Sequence, residues 1–112
     1  MKSNVKVRVG VDGNWFFGPG GAELLERIDE YGSVRKAAAS MDLSYSKAWK
    51  IIHRSEEGWQ RPLVERTTGG AGGGKSNLTD DARKIISLFR SFEKKTNDYA
   101  GEIFGELFGE YL

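Results

Sequence analysis

Residues 32–49 read Gly32-Ser33-Val34-Arg35-Lys36-Ala37-Ala38-Ala39-Ser40-Met41-Asp42-Leu43-Ser44-Tyr45-Ser46-Lys47-Ala48-Trp49. This stretch spells two helices joined by a tight turn. Gly32 is the left-handed stop of a preceding helix, and Ser33 can N-cap a short helix through Met41. Val34, Ala37, Ala38 and Met41 face inward there, and the small alanines let another helix approach closely. Asp42-Leu43 makes the turn. Ser44 then caps a third helix running to about Glu57, with Ala48, Ile51 and Ile52 as its buried stripe and Trp49 flanking it. Its outer face gathers Ser44, Tyr45, Ser46, Lys47, Lys50 and Arg54. A helix with such a face can enter the ~12 Å major groove, its N-terminal residues reaching base edges while lysines contact phosphates.

Upstream, Ala22 to Tyr31 places Leu24, Leu25, Ile28 and Tyr31 at helical spacing. Before that helix, Val5-Lys6-Val7-Arg8-Val9-Gly10-Val11 alternates with a period of two, predicting a strand with one apolar face. Asp12-Gly13 suits the positive φ angles of a tight hairpin, Trp15-Phe16-Phe17 returns as its second strand, and Gly18-Pro19-Gly20-Gly21 ends it. Downstream the pattern changes after Gly58. Leu63-Val64-Glu65-Arg66-Thr67 reads as a short strand and Asn77-Leu78 as its return. The glycine-rich run between them is too costly in entropy for a helix or a buried strand, and its tip is expected to be mobile. Thr79, followed by Asp80 and Asp81, opens a helix favourably. Ile85, Phe89, Phe92, Tyr99 and Ile103 then recur near a 3.5-residue period, giving one long helix to the C-terminus, or two if Thr96-Asn97-Asp98 caps a fresh one.

Three helices with tight turns, a hairpin and a long helix describe an α+β, mainly α chain. The expected architecture is a winged helix-turn-helix with an N-terminal β-hairpin and a long C-terminal helix. Residues 1–95 form the winged unit and residues 96–112 a helical extension for dimerisation.

Composition narrows the chemistry. The chain of 112 residues is 38% apolar and 29% charged, as in a globular domain rather than a disordered one. No apolar run approaches the ~20 residues of a membrane span, and the N-terminus lacks the apolar core of a signal peptide. With no cysteine and a single histidine, disulfides, thiolate nucleophiles, Cys-based zinc sites and multi-histidine metal centres are excluded. No cofactor, metal or catalytic constellation is expected, and His53 reads as a surface or phosphate-proximal side chain. Net charge is only +1, yet it is unevenly spread. Residues 33–78 hold eight basic against four acidic residues, leaving +4, whereas residues 97–112 hold four acidic and no basic ones. A basic middle beside an acidic tail suits a polyanion-binding surface next to a partner-facing helix.

Gly69-Gly70-Ala71-Gly72-Gly73-Gly74-Lys75-Ser76 also spells a P-loop. A P-loop needs a buried strand before it and a helix opening at the Lys-Ser, so that backbone amides cradle phosphate. Here the preceding strand carries Glu65 and Arg66, and Asn77-Leu78 intervenes before any helix. Nucleotide hydrolysis is therefore not expected.

These residues carry a family resemblance. Gly32 to Ser44 resembles the helix-turn-helix of LysR-type regulators, with its Gly-Ser, alanine pair, Leu and Ser. The match is closer to the DNA-binding domain of ModE-type molybdate-responsive regulators. Ser44-Tyr45-Ser46-Lys47-Ala48-Trp49 is similar to that family's Ser-Tyr-(Lys/Arg)-x-Ala-Trp signature. Leu63-Val64-Glu65-Arg66-Thr67-Thr68 and Gly69 to Gly74 are similar to its Leu-Val-Glu-Arg-x-Thr-Gly-Gly-x-Gly-Gly-Gly wing, followed by Leu78-Thr79. Phe17-Gly18-Pro19-Gly20 also looks familial.

The resemblance implies a dimeric, cytoplasmic prokaryotic transcription regulator that binds double-stranded DNA. Carried over by position, Ser44, Tyr45, Ser46, Lys47 and Lys50 approach the major groove. Arg66, Thr67, Thr68 and Lys75 approach the backbone beside it, and Ser33, Arg35 and Arg54 complete the expected DNA-binding set. The sequence stops at Leu112, which leaves no room for molybdate-binding modules, so a stand-alone regulator that does not itself bind molybdate is expected. The alternative is a winged helix used only for protein–protein contact. Its outer third-helix face would tend to be acidic or apolar, whereas this one is basic and hydroxyl-rich. Finally, Gly101, Gly105 and Gly109 fall four apart on one helical face, with Ile103, Phe104, Leu107 and Phe108 at its sides. Glycine costs ~0.8–1 kcal/mol per helical position, so a closely approaching second helix is expected, making this segment the homodimer seam.

Overall fold

The computed structural model describes residues 1–67 and 75–112. The expected Thr68 contact and the glycine run Gly69–Gly74 lie outside the described residues. The order is β1 (Val9–Val11), β2 (Asn14–Phe17), α1 (Pro19–Tyr31), α2 (Val34–Ser40), α3 (Tyr45–Trp59), β3 (Val64–Thr67), β4 (Lys75–Leu78) and α4 (Asp80–Phe108), with a 3-10 turn over Gly109–Tyr111. Two antiparallel hairpins, β1–β2 and β3–β4, thus bracket the three-helix unit. This is a mainly α winged helix-turn-helix with an N-terminal hairpin and a long C-terminal helix.

In the first hairpin Val11 pairs with Asn14 across Asp12 and Gly13, whose φ angles of 49° and 81° are those of a two-residue turn matched to strand twist. The strand is shorter than the alternation of residues 5–11 predicts. The register shifts between Val9 and Gly10, and upstream of it the chain turns to α4. Val5 donates its N–H to Asn97 Oδ1 at 2.9 Å, and Asn97 Nδ2 donates back to the Val5 carbonyl at 2.9 Å. A side-chain amide 92 residues away therefore takes the place of a strand partner.

The helix ends follow local chemistry. Pro19 at the first turn presets φ for α1, which begins three residues before the apolar spacing does. Gly32, at φ 64°, closes α1 by donating to the Ile28 carbonyl at 2.8 Å. Ser33, Ser44 and Thr79 each accept the backbone N–H three residues on, from Lys36, Lys47 and Ala82. Between α2 and α3, Asp42 adopts φ 56°, with Asp42 N–H on the Ala39 carbonyl and Leu43 N–H on the Ala38 carbonyl. That bond pair is a Schellman stop, and aspartate tolerates its left-handed position better than a β-branched residue would. Helix α3 runs past Glu57 through Gly58 to Trp59, and position 58 is a glycine because the Phe16 ring lies where a Cβ would fall. Helix α4 is unbroken across Thr96-Asn97-Asp98.

The core gathers Phe17 from β2, Leu24, Leu25 and Ile28 from α1, Val34, Ala37 and Ala38 from α2, Ala48 and Ile52 from α3, and Phe89 from α4. Edge-to-face contacts of Phe17 with Trp59 and Phe89, at 5.6 and 5.1 Å between centroids, lock the first hairpin to α3 and α4. Ion pairs tie α4 to α1 from outside: Arg83 with Asp29 at 2.8 Å and Arg90 with Glu26 at 2.6 Å. The hydrogen bond to Glu26, with Glu93 beside it, holds Arg90 protonated well above the ordinary arginine range. Beyond this body, α4 projects, and the molecule is 63 Å long but only 29 Å wide.

Candidate nucleic-acid interface

Helix α3 is buried on one side through Ala48, Ile52 and Ser55, and exposes Ser46, Lys47, Lys50, His53, Arg54 and Glu57 on the other. Ser46, Lys50 and Arg54 are four apart and form one row, with Lys47 beside it. Ser44 is exposed at the N-cap. Its hydroxyl accepts the Lys47 N–H at 3.0 Å, which orients the first turn carrying Tyr45, Ser46 and Lys47. Ser33 occupies the equivalent place on α2. It is half-buried with its hydroxyl engaged by Lys36, so its first role is to start that helix. Arg35, two residues on, is exposed, and its guanidinium lies 4.2 Å over the Tyr45 ring.

The β3–β4 hairpin is held against both ends of the helix-turn-helix. At the end of α3 the Glu56 carboxylate accepts the Leu63 N–H at 2.8 Å and lies 3.4 Å from the Val64 nitrogen. At the α1–α2 junction the buried Ser76 donates its N–H to the Gly32 carbonyl at 3.0 Å. Arg66, Thr67 and Lys75 are exposed on this hairpin, and Thr67 Oγ1 donates to the Lys75 carbonyl at 3.2 Å. Lys75 and Ser76 lie in a β-strand, so the P-loop spelling has no helix opening at its Lys-Ser.

Two functional candidates were missed by sequence reasoning. Trp49 read only as a flank of the buried stripe, and His53 as a surface or phosphate-proximal side chain with no link to its neighbours. In the structure Tyr45, Trp49 and His53 form a continuous aromatic row along α3. Tyr45 meets Trp49 edge-on at 6.3 Å, and Trp49 stacks on His53 at 5.2 Å with 28° between planes. Their spacing of four residues was the available signal.

Cations without a carboxylate partner occur elsewhere, at Lys2, Lys6, Arg8, Lys84 and Lys95 among the described residues, but they gather most densely on this face. Arg27, Arg61, Arg83, Arg90 and Lys94 each pair with a carboxylate. Among the described residues, Arg35, Lys47, Lys50, Arg54, Arg66 and Lys75 take part in no salt bridge. Unneutralised cations on α2, α3 and the β3–β4 hairpin leave a surface suited to a polyanion. Among the described residues there is also no group of three or more His, Asp and Glu placed to hold a metal ion.

The helix-turn-helix, the β3–β4 hairpin and the first turn of α4 fall within residues 21–83, which match the family described as bacterial regulatory helix-turn-helix protein, lysR family. The chain belongs to this family. Within the lysR family, its helix-turn-helix and wing are those of a ModE-like N-terminal domain. It is 41% identical over 70 residues, 62% of its length, to the molybdenum transport protein ModE of Azotobacter vinelandii. It is 35% identical over 88 residues, 79% of its length, to the transcriptional regulator ModE of Haemophilus influenzae. A third relative is the DNA-binding transcriptional dual regulator ModE of Escherichia coli K12, 32% identical over 89 residues, 80% of the chain. The matched regions cover 26%, 34% and 34% of those three proteins, so the chain spans about a third or less of each relative's length.

Proposed function

We propose that this chain is the DNA-reading part of a transcription regulator and binds duplex DNA as a homodimer in the cytoplasm. The observation that carries the reading is the unpaired cationic face formed jointly by α2, α3 and the β3–β4 wing. Residues Ser44, Tyr45 and Ser46, at the start of α3, reach base edges, and Lys47, Lys50 and Arg54 contact phosphates. On the wing, Arg66, Thr67 and Lys75, with Thr68 in the same role, contact the backbone beside the groove. Ser33 and Arg35 meet it from α2, through the helix N-terminus and a guanidinium. Gel shifts with genomic fragments selected by the wild-type chain test this. Lys47→Ala and Lys50→Ala should weaken binding to all fragments, whereas Ser44→Ala and Tyr45→Phe should change which fragments are preferred. Loss of neither kind would remove the reading.

The dimer seam is assigned to α4. Leu88, Phe92, Tyr99, Ile103, Leu107 and Phe108 are exposed along it, more apolar surface than a lone projecting helix usually leaves in water. Gly101, Gly105 and Gly109 have nothing within 4 Å of where a Cβ would stand, and Phe104 stacks on Phe108 beside them. A second helix can therefore approach closely on residues 96–112, the proposed dimerisation extension of the unit 1–95. The helix is also polar in charge. Its first half carries Arg83, Lys84, Arg90, Lys94 and Lys95 against Asp80, Asp81 and Glu93, and from Asp98 onward the only further charged side chains are Glu102, Glu106 and, in the terminal turn, Glu110.

Molybdate binding is not assigned to these residues, which are proposed to act in DNA binding without it. An oxyanion site needs convergent amides or cations. The large groove between the first hairpin and α3 instead mixes Arg8 and Arg54 with Asp12 and Glu57.

A further inference from the structure

The aromatic row on α3 joins the parts of the interface into one piece. Its first member, Tyr45, lies under the Arg35 guanidinium of α2 at 4.2 Å. Its second, Trp49, lies under the Arg66 guanidinium of β3 at 5.4 Å. Its third, His53, stacks on Trp49 and places Nδ1 3.4 Å from Glu56 Oε1. The other oxygen of that carboxylate accepts the Leu63 N–H at the root of the wing. A connected path of side chains therefore runs from α2, along α3, to both the base and the strand of the wing. Trp49 is half-buried and Arg66 exposed, so the indole presents a fixed face to a guanidinium that would otherwise sample many rotamers.

We propose that Trp49 is a positioning residue for DNA binding: it holds Arg66 of the wing in a fixed place beside α3, so that helix and wing engage the duplex as one preformed surface. Arg35 on Tyr45 is the matching arrangement on the other side. The proposal rests on the DNA-binding reading above and adds to it a residue that need not touch DNA. Its physical basis is preorganisation. An arginine already stacked loses less side-chain freedom on meeting a phosphate than a free one. A cation–π contact at an exposed site corresponds to roughly a 2- to 5-fold change in an equilibrium constant.

The test is a double-mutant cycle on duplex affinity, with Trp49→Leu, Arg66→Ala and the pair, alongside Trp49→Phe, which keeps an aromatic face. Trp49→Leu is expected to raise Kd about 3-fold with Arg66 present and to add nothing in the Arg66→Ala background, while Trp49→Phe restores most of the loss. Equal losses in both backgrounds, or no loss in either, would overturn the proposal. A second measurement needs neither DNA nor a folded Trp49 variant. The side-chain proton resonances of Arg66 in the wild-type protein should be shifted upfield by the indole ring current. Resonances at ordinary positions would overturn the stacking. Failure of the wild-type chain to bind any duplex would instead remove the DNA-binding reading and the role with it, and the ring-current shift would then report a purely structural contact.

Discussion

The Glu56 carboxylate accepts the backbone N–H of Leu63 at 2.8 Å across seven residues of chain, so the last turns of α3 set the point from which the wing departs. The wing is thereby oriented by the helix it assists. Leu63 is fully buried, and removing its acceptor would leave a donor without a partner. Glu56→Ala should lower unfolding free energy by ~1–3 kcal/mol in urea titrations, and Glu56→Gln, which retains an acceptor oxygen, by distinctly less. Equal costs for the two would mean that charge rather than the hydrogen bond matters here.

Gly58 gives a prediction whose sign runs against helix propensity. Alanine is better than glycine in a helix by ~0.8–1 kcal/mol. At this position, however, a Cβ would enter the Phe16 ring and push the first hairpin away from α3. Overpacking of this kind costs ~1–3 kcal/mol. Gly58→Ala should therefore lower the melting temperature, and Gly58→Ala with Phe16→Leu should recover part of the loss. A more stable Gly58→Ala single variant would contradict the packing described.

These two residues show where sequence reading reaches and where it stops. Signals confined to a few adjacent residues were legible. Ser33, Ser44 and Thr79 announce their caps, Gly32 the end of α1, and Asp12-Gly13 the first turn. Features set by distant partners were not. Glycine at 58 looks like a helix end until Phe16 is placed against it. Val5 looks like a strand residue until Asn97 takes both its backbone groups. The outer face of α3 was readable as a row of hydroxyls and cations. Trp49 was not singled out, because Arg66, which gives it a role, lies 17 positions on and meets it only through the wing.

The glycine row on α4 makes the seam testable. Gly105→Leu places a branched side chain where a second helix would approach, although the isolated chain has open space there. The substitution should leave the monomer at least as stable, since leucine is a better helix former. It should move sedimentation toward monomer at concentrations where the wild type is dimeric. Binding to a two-fold site with half-sites about one turn of DNA apart should weaken more than binding to a half-site. An unchanged dimer would place the seam elsewhere, on α1 and the first hairpin.

Salt dependence of duplex binding tests the central claim most directly, because it counts the cations that meet phosphate. For the wild-type chain, log K should fall linearly with log salt, with a slope of about −0.9 for each phosphate neutralised. Lys50→Ala should make that slope shallower by about 0.9 while the fold is retained, and Lys84→Ala, exposed on α4 rather than on α2, α3 or the wing, should leave the duplex slope unchanged. Absence of duplex binding at low salt, or a slope indifferent to Lys50, would contradict the assignment of the α2–α3–wing face to DNA.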